Sequence, residues 1–263
     1  MEPQSWHRGL VARWWSLFNL GGREIEYFRQ FVEAGQPALD VACGSGRLLI
    51  PYLQAGMDVD GCDVSPDMLA LCAEAAQAVG VSPDLSCQPM HELALPRRYR
   101  TIYVCGGLGL GSTRAQDREA LRRVHDHLEP GGRLVLDNEV PYADETHWGS
   151  WPVGRRGALP EPDRPPGERR LGSDGFEYAL QSRLLALDPL LQQQAWEMHA
   201  YQWRDGTLVA EERHRLTLNL YFAGELVMML ERAGFTEVEV RGEYDDLPPT
   251  ADDRFLVYVA TRG

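Results

Sequence analysis

The sequence contains no lysine: all 26 basic residues are arginine. With no primary amine on any side chain, Schiff-base catalysis and a Walker-type phosphate-binding lysine are both excluded. A coding bias toward GC-rich codons is explanation enough for the absence. The arginines are also outnumbered, 26 against 39 acidic residues, for a net charge of −13. A surface of that sign repels phosphate backbones, and no basic stripe with interleaved aromatics appears, so nucleic acid is not expected as a partner. Long apolar runs are missing too. None reaches the roughly 18–20 residues of a membrane helix, so no bilayer span is expected. Trp6, Trp14 and Trp15, set among Arg8 and Arg13, stand where a signal peptide would carry its apolar core, and none is expected. The five cysteines, Cys43, Cys62, Cys72, Cys87 and Cys105, form no CxxC pair. They read as reduced thiols of a cytoplasmic protein, with no metal site.

What is present is an alternation of strand and helix patterns. Short apolar runs at 37–43, 57–63, 85–88, 101–105 and 133–137 predict five strands. Helical patterns follow at 47–55, at 66–79 with Ser65 as N-cap and Pro66 at the first helical position, and at 117–128. Such spacing implies right-handed βαβ units and a parallel sheet. The pattern breaks near Pro141. A stretch rich in proline, glycine and arginine at 151–175 predicts a long mobile loop. Strand-like segments at 176–187, 192–203 and 208–218 follow, the last two joined by an Arg204-Asp205-Gly206 turn, and predict an antiparallel insert. A helix at 223–233 ending on Gly234 and strands at 236–241 and 255–261 return to the first pattern. The expected organisation is an N-terminal helical segment covering the active site (1–35), an α/β core (36–140), a loop plus antiparallel insert on the substrate side (141–219), and a C-terminal helix with the last two core strands (220–263).

The stretch that carries chemistry is Asp40-Val41-Ala42-Cys43-Gly44-Ser45-Gly46, a strand running through a glycine turn into a helix. Its glycines let backbone approach a ligand, and the helix start offers unpaired N–H groups. Asp63 ends the next strand, where a carboxylate can accept from both hydroxyls of a ribose. A dinucleotide site would show a third glycine, and Leu49 stands in that position. An acid opening a two-glycine loop suits a nucleoside with an amino-acid tail, because Asp40 can meet the ammonium end.

At these residues the chain resembles the class I S-adenosylmethionine-dependent methyltransferases. The resemblance covers about 36–140 and 220–262. It rests on DVACGSG with GCDVSPDML (61–69), LEPGGRLVLD (128–137) and ERAGFTEVEV (231–240), in that order. It implies a doubly wound, mostly parallel seven-stranded α/β sheet of order 3-2-1-4-5-7-6, the seventh strand antiparallel. The insert before the last helix looks like that of small-molecule methyltransferases, sugar-amine N-methyltransferases among them. The resemblance also implies S-adenosylmethionine as cofactor. Asp40, Ala42, Gly44 and Gly46 would hold its methionine part, Asp63 the ribose, and Val64 and Met68 the adenine. The family's acid after the third strand is replaced by Pro89-Met90, which leaves the adenine amino group to Gln88, to the Met90 backbone, or to neither. Cys105, ending the fourth strand, would turn its carbonyl toward the ammonium.

The substrate side is open. A positioned base helps when an amine or hydroxyl must lose a proton. Candidates are Glu139, Tyr142 and His147 after the fifth strand, then His199, His214 and Tyr221, each of which could instead be structural. Trp14, Trp15, Trp148, Trp151, Trp196 and Trp203 could line an apolar pocket. The Arg155-Arg156 and Arg169-Arg170 pairs could hold an anionic acceptor. His125 and His127 read as a solvated helix face, and 243–246 (EYDD) as a solvated loop. The expected activity is methyl transfer to nitrogen or oxygen of a small molecule. The rivals are a nicotinamide-dependent oxidoreductase and a non-catalytic S-adenosylmethionine-binding module, and a homodimer stays open.

Overall fold

The computed structural model describes residues 5–263, apart from the side chains of Thr146 and His147. The chain opens with α1 (Gly9–Phe18) and α2 (Arg23–Ala34) and then alternates β1 (Ala38–Val41), α3 (Leu49–Gln54), β2 (Val59–Asp63), α4 (Pro66–Ala78), β3 (Leu85–Cys87) and β4 (Tyr99–Val104). α5 (Arg114–His127) runs directly into β5 (Leu128–Glu139). After the short α6 (Glu145–Trp148) come β6 (Arg170–Leu171), β7 (Glu177–Asp188), β8 (Gln193–Arg204) and β9 (Thr207–Asn219). α7 (Ala223–Ala233), β10 (Phe235–Arg241) and β11 (Phe255–Arg262) finish the chain.

Seven strands form one sheet in the order β3-β2-β1-β4-β5-β11-β10. All neighbours are parallel except β11, which runs antiparallel to both β5 and β10. This is the topology expected from the sequence, with β11 and β10 as the last two strands. All four residues of β1 are buried, as a strand covered on both faces requires. One core layer joins the sheet to α5 and α7 through Leu121, Val124, Leu226 and Leu230. The other joins it to α2 and α3 through Phe28, Phe31, Leu49 and Tyr52. The parallel strands therefore end together, and the loops after β1, β2, β4 and β5 gather at one rim, where α/β sheets bind ligands.

The insert is a separate antiparallel sheet, β6-β7-β8-β9. Its β8–β9 turn places Asp205 and Gly206 at φ 49° and 78°, the left-handed pair a two-residue hairpin needs. Alternate residues of β8 face opposite ways. Trp196, Met198 and Ala200 pack toward α1 in a cluster with Trp6 and Val11, whereas Tyr201 and Trp203 lie on the outer face. The 151–175 segment is fastened across that outer face. Glu161 pairs with the Leu184 backbone, Asp163 with Arg213 at 2.7 Å, and Gln181 donates to the Pro165 carbonyl.

The two sheets are joined at Asp117 on α5, which is 3% exposed. Its carboxylate accepts from the Tyr221 hydroxyl at 2.5 Å, from Asn219 Nδ2 at 2.8 Å and from Ser112. Tyr221→Phe is expected to cost about 1–3 kcal/mol, the loss of one hydrogen bond to a buried acceptor. It should leave ligand binding at the sheet rim unchanged. Chemical denaturation checks the first figure, and a stability equal to that of the parent would contradict it.

His125 and His127 are not a solvated face. The His125 ring meets Phe235 edge-on with centroids 5.2 Å apart, and His127 accepts from the Leu95 N–H at 3.0 Å. Both finish α5 against its neighbours, where a side chain can serve the last turn of a helix.

Candidate active site

A cavity of about 670 Å³ lies between the rim of the parallel sheet and the inner face of the antiparallel one. Its cofactor-side wall includes Asp40, Ala42, Gly44, Asp63, Val64, Met68, Gln88, Met90 and Cys105, all expected from the sequence. Gly44 has φ +55°, and a Cβ there would stand 3.1 Å from Met68 Cε. The backbone is thus bare where a ligand passes. Gly46 is the exception. It is not on the cavity wall: a Cβ at Gly46 would meet Cys72 Sγ at 2.7 Å, and its N–H closes the turn onto the Cys43 carbonyl. The second glycine serves packing against α4. Gly46→Ala, at φ +85°, is expected to destabilise the protein by about 1–3 kcal/mol, read as a lowered Tm. A melting temperature within a degree of the parent would refute that.

Asp63 is 9% exposed and holds the loops around it. Its Oδ2 accepts from the Gly44 N–H at 2.9 Å and its Oδ1 from the Ser65 N–H at 2.8 Å. Burial raises its pKa above the ordinary carboxylate value, against those backbone bonds. Asp40, 3% exposed, is pushed up to about 8 by burial, with the Tyr103 hydroxyl acting to lower it, Asp63 adding to the rise and Arg47 opposing it. A cation arriving beside Asp40 would restore the carboxylate. Gln88 has both ends of its carboxamide engaged, Nε2 on Ser86 at 2.5 Å and Oε1 on the Ala94 N–H at 2.8 Å. Each end keeps one further position, a second N–H on Nε2 and a second lone pair on Oε1.

Three further wall residues were not foreseen. Arg47, directly after the glycine turn, pairs with Glu24 from α2 and reaches Cys105 Sγ at 3.6 Å. Asp137, the last acid of the LVLD strand, accepts from the Gly106 N–H at 2.5 Å, from the Tyr244 hydroxyl at 2.7 Å and from Cys105 Sγ at 3.3 Å. Burial raises its pKa too. Tyr244 belongs to the EYDD stretch, so that loop is not simply solvated. The N-terminal segment supplies Trp6, His7 and Trp15. It is held by Ser65 donating to the His7 carbonyl, by the Gly9 N–H on Asp67 at 2.7 Å and by the Leu10 N–H on Glu212 at 2.9 Å. Burial lowers the His7 imidazole to about 4, so it is neutral at pH 7.

Residues 38–132 match the family model described as a methyltransferase domain. This stretch is therefore similar to a methyltransferase domain. The chain is 30% identical over 105 residues to a protein of Geobacillus sp. (strain WCH70) that bears a methyltransferase name, which is 40% of this chain and 42% of that one. The chain thus spans less than half the length of that relative. A S-adenosylmethionine-dependent methyltransferase structure from Clostridium acetobutylicum superposes with a TM-score of 0.71 at 16% identity, over 91% of this chain and 92% of that one. A S-adenosylmethionine-bound amino pentose methyltransferase from Micromonospora echinaspora superposes at 0.61 and 21% identity, over 96% and 95%. At such identities the two structures establish the fold.

The fold brings only part of the expected substrate side to the cavity. Glu139 lines it. Tyr142 does not: it is 41% exposed, with its ring against Trp148. Three residues after the end of β5, its ring turns away from the cavity, although its neighbours Pro141 and Asp144 line it. The His147 side chain lies outside the described residues. His199 sits on the outer face of β8, bonded to the Tyr201 hydroxyl at 2.6 Å, and His214 pairs with Glu212 at 3.1 Å. Tyr221 is fully buried on Asp117, which with burial raises its pKa and disqualifies it as a base. Of the tryptophans, Trp15 and Trp196 line the cavity, and Trp14, Trp148, Trp151 and Trp203 do not. The arginine pairs stay out as well: Arg170 lies over Phe18 and Arg169 over Trp203, each 4.2 Å from the ring centroid.

Proposed function

We propose that the protein is a S-adenosylmethionine-dependent methyltransferase acting on nitrogen or oxygen of a small molecule. The observation that carries the reading is the placement of Asp40, Gly44 and Asp63 at adjacent strand ends on one cavity wall. That donor set fits an aminoacyl nucleoside. Asp40 is a buried acid that a cation would ionise, Gly44 presents bare backbone, and Asp63 keeps lone pairs for two hydroxyls. In this reading Asp40 holds the ammonium, Asp63 the ribose, and Val64 and Met68 the adenine. Arg47 is the one arginine of the cavity wall among the described residues, and it stands within reach of the carboxylate end. The bound cofactor supplies an electrophilic methyl on a sulfonium. The chain's part is to exclude water, align the acceptor and take up its proton, for which Glu139 is the remaining candidate on the wall.

We assign 36–140 and 220–263 to the cofactor-binding core, 1–35 to a segment covering the active site, and 141–219 to the substrate side. The hydrogen bonds of Gly9 to Asp67 and of Leu10 to Glu212 support this, because the first segment bridges the other two. A cytoplasmic location is supported by five free thiols, at home in a reducing compartment. Among the described residues no helix is long and apolar enough to cross a membrane.

Calorimetric titration with S-adenosylhomocysteine and with NADH tests the reading. Micromolar binding of the first and none of the second is expected. The reverse result would overturn it in favour of an oxidoreductase.

A further inference from the structure

The acceptor half of the cavity is walled by the inner face of the antiparallel sheet, where Trp196, Met198, Leu216 and Leu218 present apolar surface. Ser182, Gln194 and Asn219 are the polar side chains of that wall, and Asn219 is spent on Ser112 and Asp117. Gln194 on β8 stands opposite Leu187 and Leu218 in register and is 4% exposed. Its Oε1 accepts from Trp196 Nε1 at 3.0 Å. An indole N–H can only donate, so the amide oxygen must face Trp196 and the amide nitrogen must face away. Among the described residues that nitrogen has no partner. Yet Gln194 lines the cavity, and its Nε2 is not among the side-chain atoms sealed from solvent without a hydrogen bond. The N–H₂ therefore opens onto the cavity, its direction fixed by its neighbour.

A donor held in an apolar wall discriminates strongly, because a ligand that cannot accept its hydrogen bond leaves it desolvated and unpaired. The surrounding charge sets a second condition. Asp117, Asp137, Glu139 and Asp144 line the cavity, whereas Arg47, its one arginine among the described residues, lies on the cofactor side beside Glu24. An anionic ligand would meet repulsion there with no guanidinium to receive it.

We propose that Gln194 is a specificity-determining residue: its carboxamide N–H₂ donates to a hydroxyl or carbonyl oxygen of the methyl acceptor, which carries no phosphate or carboxylate. This rests on the proposed methyltransferase function and names the chemistry of its acceptor. The oxygen is an orienting group, set beside the reacting atom by the donor's place in the wall.

The test is binding, read without turnover. Three probes sharing one ring, trans-2-aminocyclohexanol, cyclohexylamine and cyclohexyl phosphate, are titrated into the full chain with S-adenosylhomocysteine present, by saturation-transfer NMR. The amino alcohol is expected to bind best and the phosphate not at all. Gln194→Leu should weaken the amino alcohol about tenfold and leave cyclohexylamine unchanged. Because that variant also strips Trp196 of its acceptor, Gln194→Glu is the companion: it keeps an oxygen for the indole but removes the donor, and should lose the amino alcohol's advantage over cyclohexylamine. Phosphate binding equal to that of the amino alcohol, no binding of the amino alcohol, or wild-type preference in both variants would overturn the proposal. The S-adenosylhomocysteine titration on the same samples separates the two readings. If it fails, the methyltransferase reading fails; if it holds while the probes ignore Gln194, only this inference falls.

Discussion

Asp63→Ala is expected to weaken S-adenosylhomocysteine binding by about 10²–10³-fold, the effect of removing a buried carboxylate that, in the proposed reading, accepts from both ribose hydroxyls. The structure gives two reasons for so large a value. The carboxylate would contact the ligand directly, and it also fixes the Gly44 and Ser65 N–H groups at 2.9 and 2.8 Å, so its loss loosens the glycine turn and the start of α4. Asp63→Asn separates these contributions. An amide keeps one accepting oxygen and can hold one of the two N–H groups, so a smaller loss, about tenfold, is expected. Calorimetry on the three proteins reads both values. A loss below threefold in Asp63→Ala would mean that the ribose is bound elsewhere.

The place of Asp63 on the cavity wall was legible in the sequence because everything that positions it is local. A five-residue strand, an N-capping Ser65 with Pro66 behind it, and a glycine turn one strand earlier each have a short-range signature, and the sheet order followed from the same alternation. The antiparallel insert was legible for a similar reason, with a left-handed Asp205-Gly206 turn between period-two strands. Reach across the fold was not. Glu24 and Arg47 are 23 residues apart, and Tyr244 and Asp137 are 107 apart, and neither pair is marked by any spacing. Arg47 and Asp137 could have been suspected, since one follows and the other ends a motif already singled out. Gln194 could not, because its importance comes from the indole that turns its amide. Tyr142 differs in the opposite sense: Pro141 and Asp144 beside it reach the wall, and only the direction of its side chain, packed on Trp148, takes it out. Gly46 sits in the right motif, but its φ and the sulfur of Cys72 give it a packing role.

Cofactor binding at neutral pH should release protons, and Asp40 should be their source. Burial holds its carboxyl at about 8 in the free protein, so at pH 7 it is mostly protonated. An ammonium brought beside it favours the carboxylate, and pairing therefore expels close to one proton. Below pH 8 the affinity must rise with pH, by about tenfold between pH 6 and 7. The free protein shows the opposite linkage. A carboxyl whose pKa is raised on folding binds its proton more tightly in the native state, so its contribution to stability is full below the unfolded value of 3.8 and is lost as pH rises toward 8. The thermal stabilisation given by S-adenosylhomocysteine should accordingly grow from pH 6 to pH 7.5 even as this contribution of the unliganded protein declines. Titrations at pH 7 in two buffers of different ionisation enthalpy measure the proton directly, and Asp40→Asn should abolish it while weakening binding. An enthalpy independent of buffer would show that Asp40 is already ionised before the ligand arrives. The ammonium would then meet a ready-made carboxylate, and the affinity would be flat across this range.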